Sequence, residues 1–356
     1  MKHQHILIIR FSALGDVAMV VPIVWAAARQ YPDVRFTVLS KPMMRSLFEN
    51  LAPNVCFMGA DVKGEYHGLR GLNALFRRLI AKQPTAIADL HNVLRSEYLR
   101  LRFNLGRYKV EHINKHRLHR RQLVAPQPRK RREPLPTSFQ NYLDVFTRLG
   151  YPIAPENLCF TSIFGEGRKG DLSLLPGTIG TKAPRQQWIG IAPFAAHQGK
   201  IYAPEQMEQV IAALTSRHPE ARLLLFGQGK DEDLYFTKWA QRWPQCLYVS
   251  RHVDSMYQEL ILMSHLDVML SMDSANMHLA SLTATPVVSV WGATHPFAGF
   301  MGWHQDEQNA VQLDMACRPC SIFGNKPCQR GDYACLRDIT PDMILEKIER
   351  LLTKNQ

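Results

Sequence analysis

The sequence lacks a hydrophobic run long enough to cross a lipid bilayer. Its longest nearly uncharged stretch near the N-terminus, residues 17–28, has 12 residues, whereas a membrane-spanning helix needs about 20 apolar residues. This stretch is preceded by Arg10 and Asp16 and shows no clean cleavage site, so we expect no signal peptide. The two absences together predict a cytoplasmic protein.

Cysteine is also scarce, with seven in 356 residues. Thiols are kept reduced in the cytoplasm, so these cysteines predict free thiols or a metal site before disulfides. Four of them have the residue type of a zinc site and lie close together in the sequence: Cys317, Cys320, Cys328 and Cys335. Because their spacing is irregular for a zinc finger, we expect reduced thiols, with a structural zinc ion as the alternative.

Acidic residues are nearly absent from residues 95–132. This segment holds 13 lysine or arginine residues and only two acids, which gives it +11 of the chain's net charge of +12. Such a basic surface faces something anionic: a phosphorylated glycolipid, a membrane surface or nucleic acid. Nucleic acid is disfavoured as the partner, because Tyr98, Phe103 and Tyr108 are the only aromatic residues among the cations. The segment also contains no known nucleic-acid-binding motif.

The latter part of this segment, residues 117–136, combines cations with prolines and shows no apolar period. That composition predicts a mobile loop or a pair of short pieces. We expect it to form an electropositive lip on the N-terminal half of the molecule. A merely solvated loop is the alternative.

The length of the chain predicts two domains, because 356 residues exceed one comfortable core. Buried strands alternate with helices in both halves, which predicts two α/β domains with parallel sheets. Strands are predicted at residues 5–9, 35–40, 86–90, 188–193, 222–226, 268–272 and 287–291. We place an N-terminal domain at 1–165, a linker at 166–187, a C-terminal domain at 188–340 and a final helix at 341–356. The binding site is expected in the cleft between the two halves.

Polar residues follow several of these strands, at the strand ends where open α/β sheets bind ligands. Asp273 and Ser274 stand between a buried strand and a helix, so they are helix caps or ligand contacts. Asp16 lies in the turn after the first strand, where a helix cap is again the alternative to a functional carboxylate. Lys200 lies in a loop before a helix, and a solvated surface lysine is its alternative.

Four blocks of the sequence resemble glycosyltransferase family 9, the family of lipopolysaccharide heptosyltransferases. They are IIRFSALGDVAMVVP, IAPFAAHQGKIYAPEQM, SMDSANMHLASLTATPVVSVWGATHP and the cysteine-bearing tail, in the order and spacing of the family. The resemblance implies the GT-B fold, in which two Rossmann-like domains face each other across a cleft. It also implies transfer of heptose from ADP-heptose to a lipid A–core acceptor at the inner face of the inner membrane, with no catalytic metal and no cofactor.

The resemblance also implies roles for single residues. Asp16 matches the general base of a single inverting displacement, and Lys200 matches the lysine that binds the departing diphosphate. Asp273 and Ser274 match an acidic and hydroxyl pair that holds the donor sugar and diphosphate. The next residue is often glycine in the family and is Ala275 here, so the donor geometry is expected to differ somewhat.

Further contacts are expected from position in the chain. On the donor side they are His278, Gly227 in a weak Gly-x-Gly sequence after a strand, Gly292 and Thr294. On the acceptor side they are Ser12, Arg120, Arg121, Arg129, Lys130, Arg131 and Arg132. A family-9 transferase that uses another nucleotide sugar is the nearest alternative function. A non-catalytic basic protein that binds an anionic polymer is the alternative of a different class.

Overall fold

The computed structural model describes residues 4–354, and its contacts divide the chain into two compact units. Unit 1 consists of the chain up to Lys115 together with Pro136–Ile163. Unit 2 consists of His116–Leu135 together with the chain from Phe164 onward. The division therefore differs from the expected sequential one, because one short segment from the first half packs with the second.

Unit 1 is built on a five-stranded sheet in the order β3-β2-β1-β4-β5, and all of its strand pairs are parallel. The strands are β1 (His5–Ile9), β2 (Arg35–Ser40), β3 (Val55–Gly59), β4 (Ala86–Asp89) and β5 (Lys109–His112). The chain runs outward from β1 in one direction and resumes at β4 on the other side. The turns after β1 and β4 therefore flank a topological switch point, where sheets of this kind bind ligands.

The first helices are α1 (Leu14–Ala18), α2 (Val21–Gln30), α3 (Gly68–Ile80) and α4 (Leu94–Leu105). Next come α5 (Arg117–Leu123), which belongs to unit 2, and α6 (Ser138–Arg148), which returns to unit 1. The apolar character of residues 17–31 predicts a single helix, but the structure has two helices there, α1 and α2. Pro22 stands in the first turn of α2, where its missing N–H and fixed φ are tolerated, and it cannot continue α1.

Unit 2 contains a six-stranded sheet in the order β11-β10-β9-β6-β7-β8, again with all strand pairs parallel. Its strands are β6 (Trp188–Ala192), β7 (Arg222–Leu225), β8 (Cys246–Tyr248), β9 (Val268–Met272), β10 (Val287–Val290) and β11 (Ala310–Val311). Read from the β8 edge, this is the doubly wound Rossmann order, with its switch point between β6 and β9.

The helices of unit 2 after α5 are α7 (Pro204–Arg217), α8 (Lys230–Arg242), α9 (Met256–Ser264), α10 (Ala275–Ser281), α11 (Ala334–Arg337) and α12 (Pro341–Lys354). Strands β1, β6 and β9 are buried at every position, because helices cover both faces of each sheet. This explains why these strands read as unbroken apolar runs. Within residues 4–354, none of the helices has the length and apolar character needed to cross a membrane.

The segment His116–Leu135 is fixed to unit 2 by specific contacts, which corrects the expected lip on the N-terminal half. The ammonium of Lys130 donates to the backbone oxygens of Leu123, Cys317 and Pro319 at 3.3, 3.2 and 2.5 Å. Arg132 forms an ion pair with Asp314 at 2.6 Å. The segment also contains the helix α5, where the sequence predicted a mobile loop or a pair of short pieces. Its partners lie almost 190 residues away in the chain, so no local pattern predicts them.

The predicted linker packs on unit 2 as well. The backbone N–H of Gly170 donates to Ser264 Oγ at 2.9 Å. Lys182 Nζ lies 2.7 Å from Asp267 Oδ2. Residues 166–187 are therefore part of the surface of unit 2.

Candidate functional site

Asp16 lies at the switch point of unit 1, in the short helix α1 that follows β1. One carboxylate oxygen, Oδ1, lies 2.8 Å from Nη2 of Arg10, and the other, Oδ2, accepts the backbone N–H of Ala13 at 3.1 Å. Tyr142 on α6 donates its hydroxyl to the backbone oxygen of Asp16 at 3.2 Å. Asp16 thus makes the capping contact and also faces a cation. Its side chain remains 29% exposed, which leaves it within reach of a ligand.

Arg10 contacts Asp16 in the candidate site, and the sequence analysis did not single it out as a site residue. It is buried, and its Nη1 donates to the backbone oxygen of Leu90 at 2.5 Å while its Nη2 contacts Asp16. Burial lowers the pKa of Arg10, but the interactions with Asp16, Tyr142 and Asp89 together outweigh burial, and the net shift is upward. Arg10 therefore stays charged and joins the turn after β1 to the turn after β4. The available signal was a single arginine directly after the apolar strand.

Asp89 shapes the turn after β4. Its Oδ1 accepts the backbone N–H groups of His91 and Asn92, both at 2.9 Å, and its Oδ2 forms an ion pair with Arg100 at 3.1 Å. The carboxylate is fully buried and its hydrogen bonds fix the backbone of this turn. This turn after β4 holds His91 at the switch point.

His91 is the second residue that the sequence analysis missed as part of a site. Burial, reinforced by the positive charges of Arg10 and Lys115, lowers the pKa of His91 to about 3, so its imidazole is neutral at neutral pH. Nδ1 accepts the backbone N–H of Phe11 at 3.4 Å, which leaves the ring hydrogen on Nε2, 3.4 Å from Ser12 Oγ. Ser12, an expected acceptor contact, is thus oriented by a neutral histidine.

Lys200 and Asp273 meet at the switch point of unit 2. Lys200 lies in the loop after β6, Asp273 follows β9 directly, and Lys200 Nζ is 2.9 Å from Asp273 Oδ2 without hydrogen-bond alignment. Asp273 is 3% exposed and the Lys200 side chain 15% exposed. The helix-cap alternative for Asp273 is wrong, because Ser274 occupies the N-cap of α10 and the Asp273 carboxylate faces Lys200 instead.

A glycine segment supports the aliphatic stem of Lys200. The backbone N–H of Gly199 donates to the oxygen of Gly324 at 3.3 Å, and Ala293 donates to the oxygen of Gly199 at 2.8 Å. A Cβ atom on Gly324 would lie 2.6 Å from Cγ of Lys200. Gly324 also has a φ of +74°, in the left-handed region that favours glycine. The backbone at Gly324 therefore sets where the Lys200 side chain lies.

Arg318 supports the turn after β10. The sequence analysis did not single it out, because it lies between Cys317 and Cys320, which were considered there as zinc ligands. It is buried, and its guanidinium donates to the backbone oxygens of Gly292 at 2.5 Å, Thr294 at 2.9 Å and Trp291 at 3.1 Å. The Thr294 hydroxyl is buried and has no hydrogen-bond partner among the described residues. A buried hydroxyl of this kind is expected to meet a polar ligand.

The remaining donor candidates line the same edge of the unit 2 sheet. Ser274 Oγ lies 3.2 Å from Ser271 Oγ, Ala275 begins α10, and His278 is buried within that helix. Gly227 follows β7 with a φ of +153°, which favours glycine.

Gly292 is explained by packing. A Cβ atom there would lie 2.4 Å from Cγ of Leu336. The turns after β6, β7, β9 and β10 thus bring all predicted donor residues to one edge.

The predicted acceptor cations belong to unit 2, whereas Ser12 belongs to unit 1. Arg120 stacks over the rings of Phe300 and Phe323 at 5.3 and 5.8 Å, and Lys130 and Arg132 are held by the contacts described above. Four members of the set are exposed: Arg121, Arg129, Arg131 and Arg132. At least three of the six cations therefore have structural contacts within unit 2.

The four clustered cysteines line one pocket of unit 2. Burial, together with nearby thiols, raises the pKa of Cys335 to about 11 and also raises the pKa of Cys320, whereas backbone hydrogen bonds outweigh burial and lower the pKa of Cys328. Across residues 4–354, no group of three or more His, Cys, Asp or Glu side chains is arranged to hold a metal ion. Zinc binding by these cysteines stays an alternative prediction.

Comparison with known proteins links this chain to heptosyltransferases. Residues 166–328 match the family model described as glycosyltransferase family 9 (heptosyltransferase). Lipooligosaccharide heptosyltransferase 2 of Campylobacter jejuni is 30% identical over 87 residues, a match that spans 24% of this chain and only 26% of that relative.

Solved structures of the family share the fold along nearly the whole chain. A glycosyltransferase family 9 protein from Veillonella parvula aligns with a TM-score of 0.74 at 16% identity and covers 99% of this chain and 98% of its own. The E. coli ADP-heptose lps heptosyltransferase II aligns with a TM-score of 0.69 at 17% identity, with 99% of both chains covered. These similarities confirm the GT-B fold class that the sequence indicated. Residues 166–328 are thus similar to glycosyltransferase family 9, the heptosyltransferase family.

Proposed function

We propose that the protein is an inverting glycosyltransferase that moves heptose from ADP-heptose to a lipid A–core acceptor in lipopolysaccharide biosynthesis. The observation that carries this proposal is the Lys200–Asp273 pair at the switch point of unit 2, inside the matched family domain. The structural similarity to the E. coli ADP-heptose lps heptosyltransferase II supports the choice of donor.

Lys200 and Asp273 suit the two ends of a sugar diphosphate. The ammonium of Lys200 stabilises the negative charge that grows on the diphosphate as it leaves. The Asp273 carboxylate repels phosphate but accepts hydrogen bonds from sugar hydroxyls. The first turn of α8, beside Gly227, carries Asp231, Glu232 and Asp233, so this end of the edge suits the uncharged adenosine better than phosphate.

Asp16 is the proposed general base. A sugar hydroxyl is a weak nucleophile, so a positioned carboxylate that takes its proton lowers the barrier to attack. The new C–O bond forms at the anomeric carbon while the bond to the diphosphate breaks on the opposite face, and ADP leaves. Arg10 and the Ala13 N–H hold the carboxylate in place and leave lone pairs for the acceptor hydroxyl.

The proposal extends to cofactors, partners and location. Lys200 supplies the cationic charge that a divalent metal supplies in other transferases, so we propose a metal-independent reaction without a cofactor. The acceptor is a phosphorylated glycolipid in a bilayer, which places the enzyme at the cytoplasmic surface of the inner membrane as a peripheral protein.

Two measurements test this proposal together. In a thermal-shift panel of nucleotide sugars, ADP-sugars should stabilise the protein by roughly 2.7 kcal/mol at 100 times their dissociation constant, and UDP- and GDP-sugars should not. Stabilisation by another nucleotide sugar alone would replace the donor. Asp16→Asn should lower turnover by roughly a hundredfold or more, because the base is lost, and leave the ADP-sugar shift unchanged.

The control for Asp16 is Asp61→Asn. Asp61 accepts the N–H groups of Lys63 and Gly64 in an exposed turn of the same unit, so this variant also exchanges a turn-forming carboxylate for an amide. Its turnover should match the wild type. A folded Asp16→Asn variant with wild-type turnover would remove Asp16 from the role of base. Addition of EDTA should change none of these rates, and a strict metal requirement would contradict the mechanism.

A further inference from the structure

The outer side of α4 carries three exposed leucines. Leu94, Leu101 and Leu105 are 84, 55 and 73% exposed, and with 3.6 residues per turn they fall within about 40° of one another around the helix axis. The opposite side of the helix, formed by Ser96, Leu99 and Phe103, is buried in the core of unit 1. We call Leu94, Leu101 and Leu105 the leucine face.

The leucine face differs from the other exposed leucines of the described chain. Single exposed apolar residues are normal on protein surfaces and need no partner. Leu118, Leu174 and Leu234 are of that kind, since each lies on a different segment of unit 2. Leu94, Leu101 and Leu105 instead lie on one side of one helix and together form an apolar strip.

The neighbouring helix α3 widens this strip. Tyr98 on α4 donates its hydroxyl to Asn73 Oδ1 at 2.9 Å, and the Arg102 guanidinium lies 4.7 Å from the centre of the Phe76 ring. These contacts hold α3 and α4 side by side. Leu69, 65% exposed, lies on the flank of α3 that carries Asn73 and so borders α4.

Arginines surround the apolar strip. Arg95 is exposed in the first turn of α4, Arg107 is exposed just beyond its end, and Arg70 and Arg77 are exposed on α3. An apolar strip with cations around it matches the surface of an anionic bilayer. Leucines enter the boundary between headgroups and acyl chains, and arginines meet the headgroup phosphates. A nucleic acid would meet the arginines but offers the leucines no apolar phase.

We infer that the leucine face docks unit 1 onto an anionic lipid bilayer. Leu94 follows His91 by three residues, and His91 contacts Ser12 in the turn that leads to Asp16. Docking through α4 therefore brings the lipid surface to the edge of the sheet where Asp16 lies. On the proposed function, this is the edge that a lipid-anchored acceptor must reach.

The test is co-sedimentation of the full-length protein with vesicles of equal parts phosphatidylethanolamine and phosphatidylglycerol. The variant Leu94→Gln, Leu101→Gln, Leu105→Gln should lose binding by at least roughly tenfold, since burial of even one leucine is worth about an order of magnitude. Glutamine is a good helix former of similar length, so α4 should persist. The matched control is Leu118→Gln, Leu174→Gln, Leu234→Gln, whose leucines are 64, 54 and 67% exposed on unit 2. It should bind as the wild type does.

Two further measurements use arginine variants and a water-soluble acceptor. Arg95→Gln with Arg107→Gln should weaken binding to these vesicles but change little with pure phosphatidylcholine. Transfer to a de-acylated, water-soluble acceptor should be unchanged in the leucine variant, whereas transfer to acceptor in vesicles should fall. If the wild type transfers no heptose to the soluble acceptor, that result counts against the proposed function. It leaves the result on vesicle binding unaffected.

Three results would overturn the inference. The first is a leucine variant that keeps its α4 helix and binds vesicles as the wild type does. The second is an equal loss of vesicle binding in both triple variants, which would show that exposed leucines anywhere on the surface bind the vesicles non-specifically. The third is a wild-type dimer in sedimentation velocity that the α4 substitutions dissociate, which would identify a second copy of the chain as the partner.

Discussion

At the scale of single residues, Asp273 competes with any bound phosphate for the ammonium of Lys200. Its ammonium lies against the buried carboxylate of Asp273, so a diphosphate must share that charge. Removal of the ammonium has two consequences. It takes away the cation for the leaving group, and it leaves Asp273 buried without its counter-charge.

Lys200→Ala should therefore lower turnover by roughly a hundredfold and weaken ADP binding by roughly tenfold, since one charge serves both the ground state and the transition state. Isothermal titration with ADP and initial rates measure the two effects. Lys182→Ala is the control, because the Lys182 side chain is exposed to a similar extent as that of Lys200 and also forms an ion pair with an aspartate of the same unit, Asp267. Unchanged ADP affinity in Lys200→Ala would mean that Lys200 does not touch the diphosphate.

At the scale of elements, the loop after β6 depends on a glycine more than 120 residues further along the chain. Gly324→Ala should place a methyl group 2.6 Å from Cγ of Lys200 and strain a residue with a φ of +74°. We expect weaker ADP binding and slower turnover, measured by titration and rates, because the ammonium is displaced.

The control separates this displacement from backbone strain. Gly331 has a φ of +78°, and a Cβ atom there would meet no other atom within 4 Å, so Gly331→Ala carries the strain alone. It should lower the melting temperature about as much as Gly324→Ala does, yet bind ADP as the wild type does. Equal ADP affinity in the two variants would show that Gly324 does not position Lys200.

The sequence predicted those elements whose signals are local. Strands β1, β2, β6 and β9 appear with the expected bounds or within one residue of them, because each is an apolar run that ends in a polar turn. The break between α1 and α2 depended on where Pro22 falls in its helix. The edge strand β3 was missed, because its half-buried residues make no strong apolar pattern.

The site residues that the sequence analysis missed are defined by long-range contacts. Asp16, Lys200 and Asp273 were identified through a family pattern and lie at the two switch points. Arg10 and Arg318 were missed because their roles depend on backbone oxygens brought close by folding, such as Leu90 and Gly292, and a backbone oxygen carries no sequence signal.

At the scale of the whole molecule, the predicted donor residues all lie in unit 2. ADP at saturation should therefore slow hydrogen exchange most in the turns after β6, β9 and β10, because the nucleotide orders them. Exchange followed by mass spectrometry measures this, with Lys200→Ala as the control that should lose most of the protection. Protection concentrated in the turns after β1 and β4 would place the nucleotide in unit 1 and contradict the assignment.

The path of the chain between the two units limits how this chain can be recombined with related chains. A chimaera with one crossover near Phe164 would take unit 2 from one parent but keep His116–Leu135 from the other. The inherited Lys130 and Arg132 would then meet foreign partners in place of Cys317, Pro319 and Asp314. Exchange of the whole of unit 2 by gene shuffling therefore requires three crossovers, so that this short segment is inherited together with the unit it packs against.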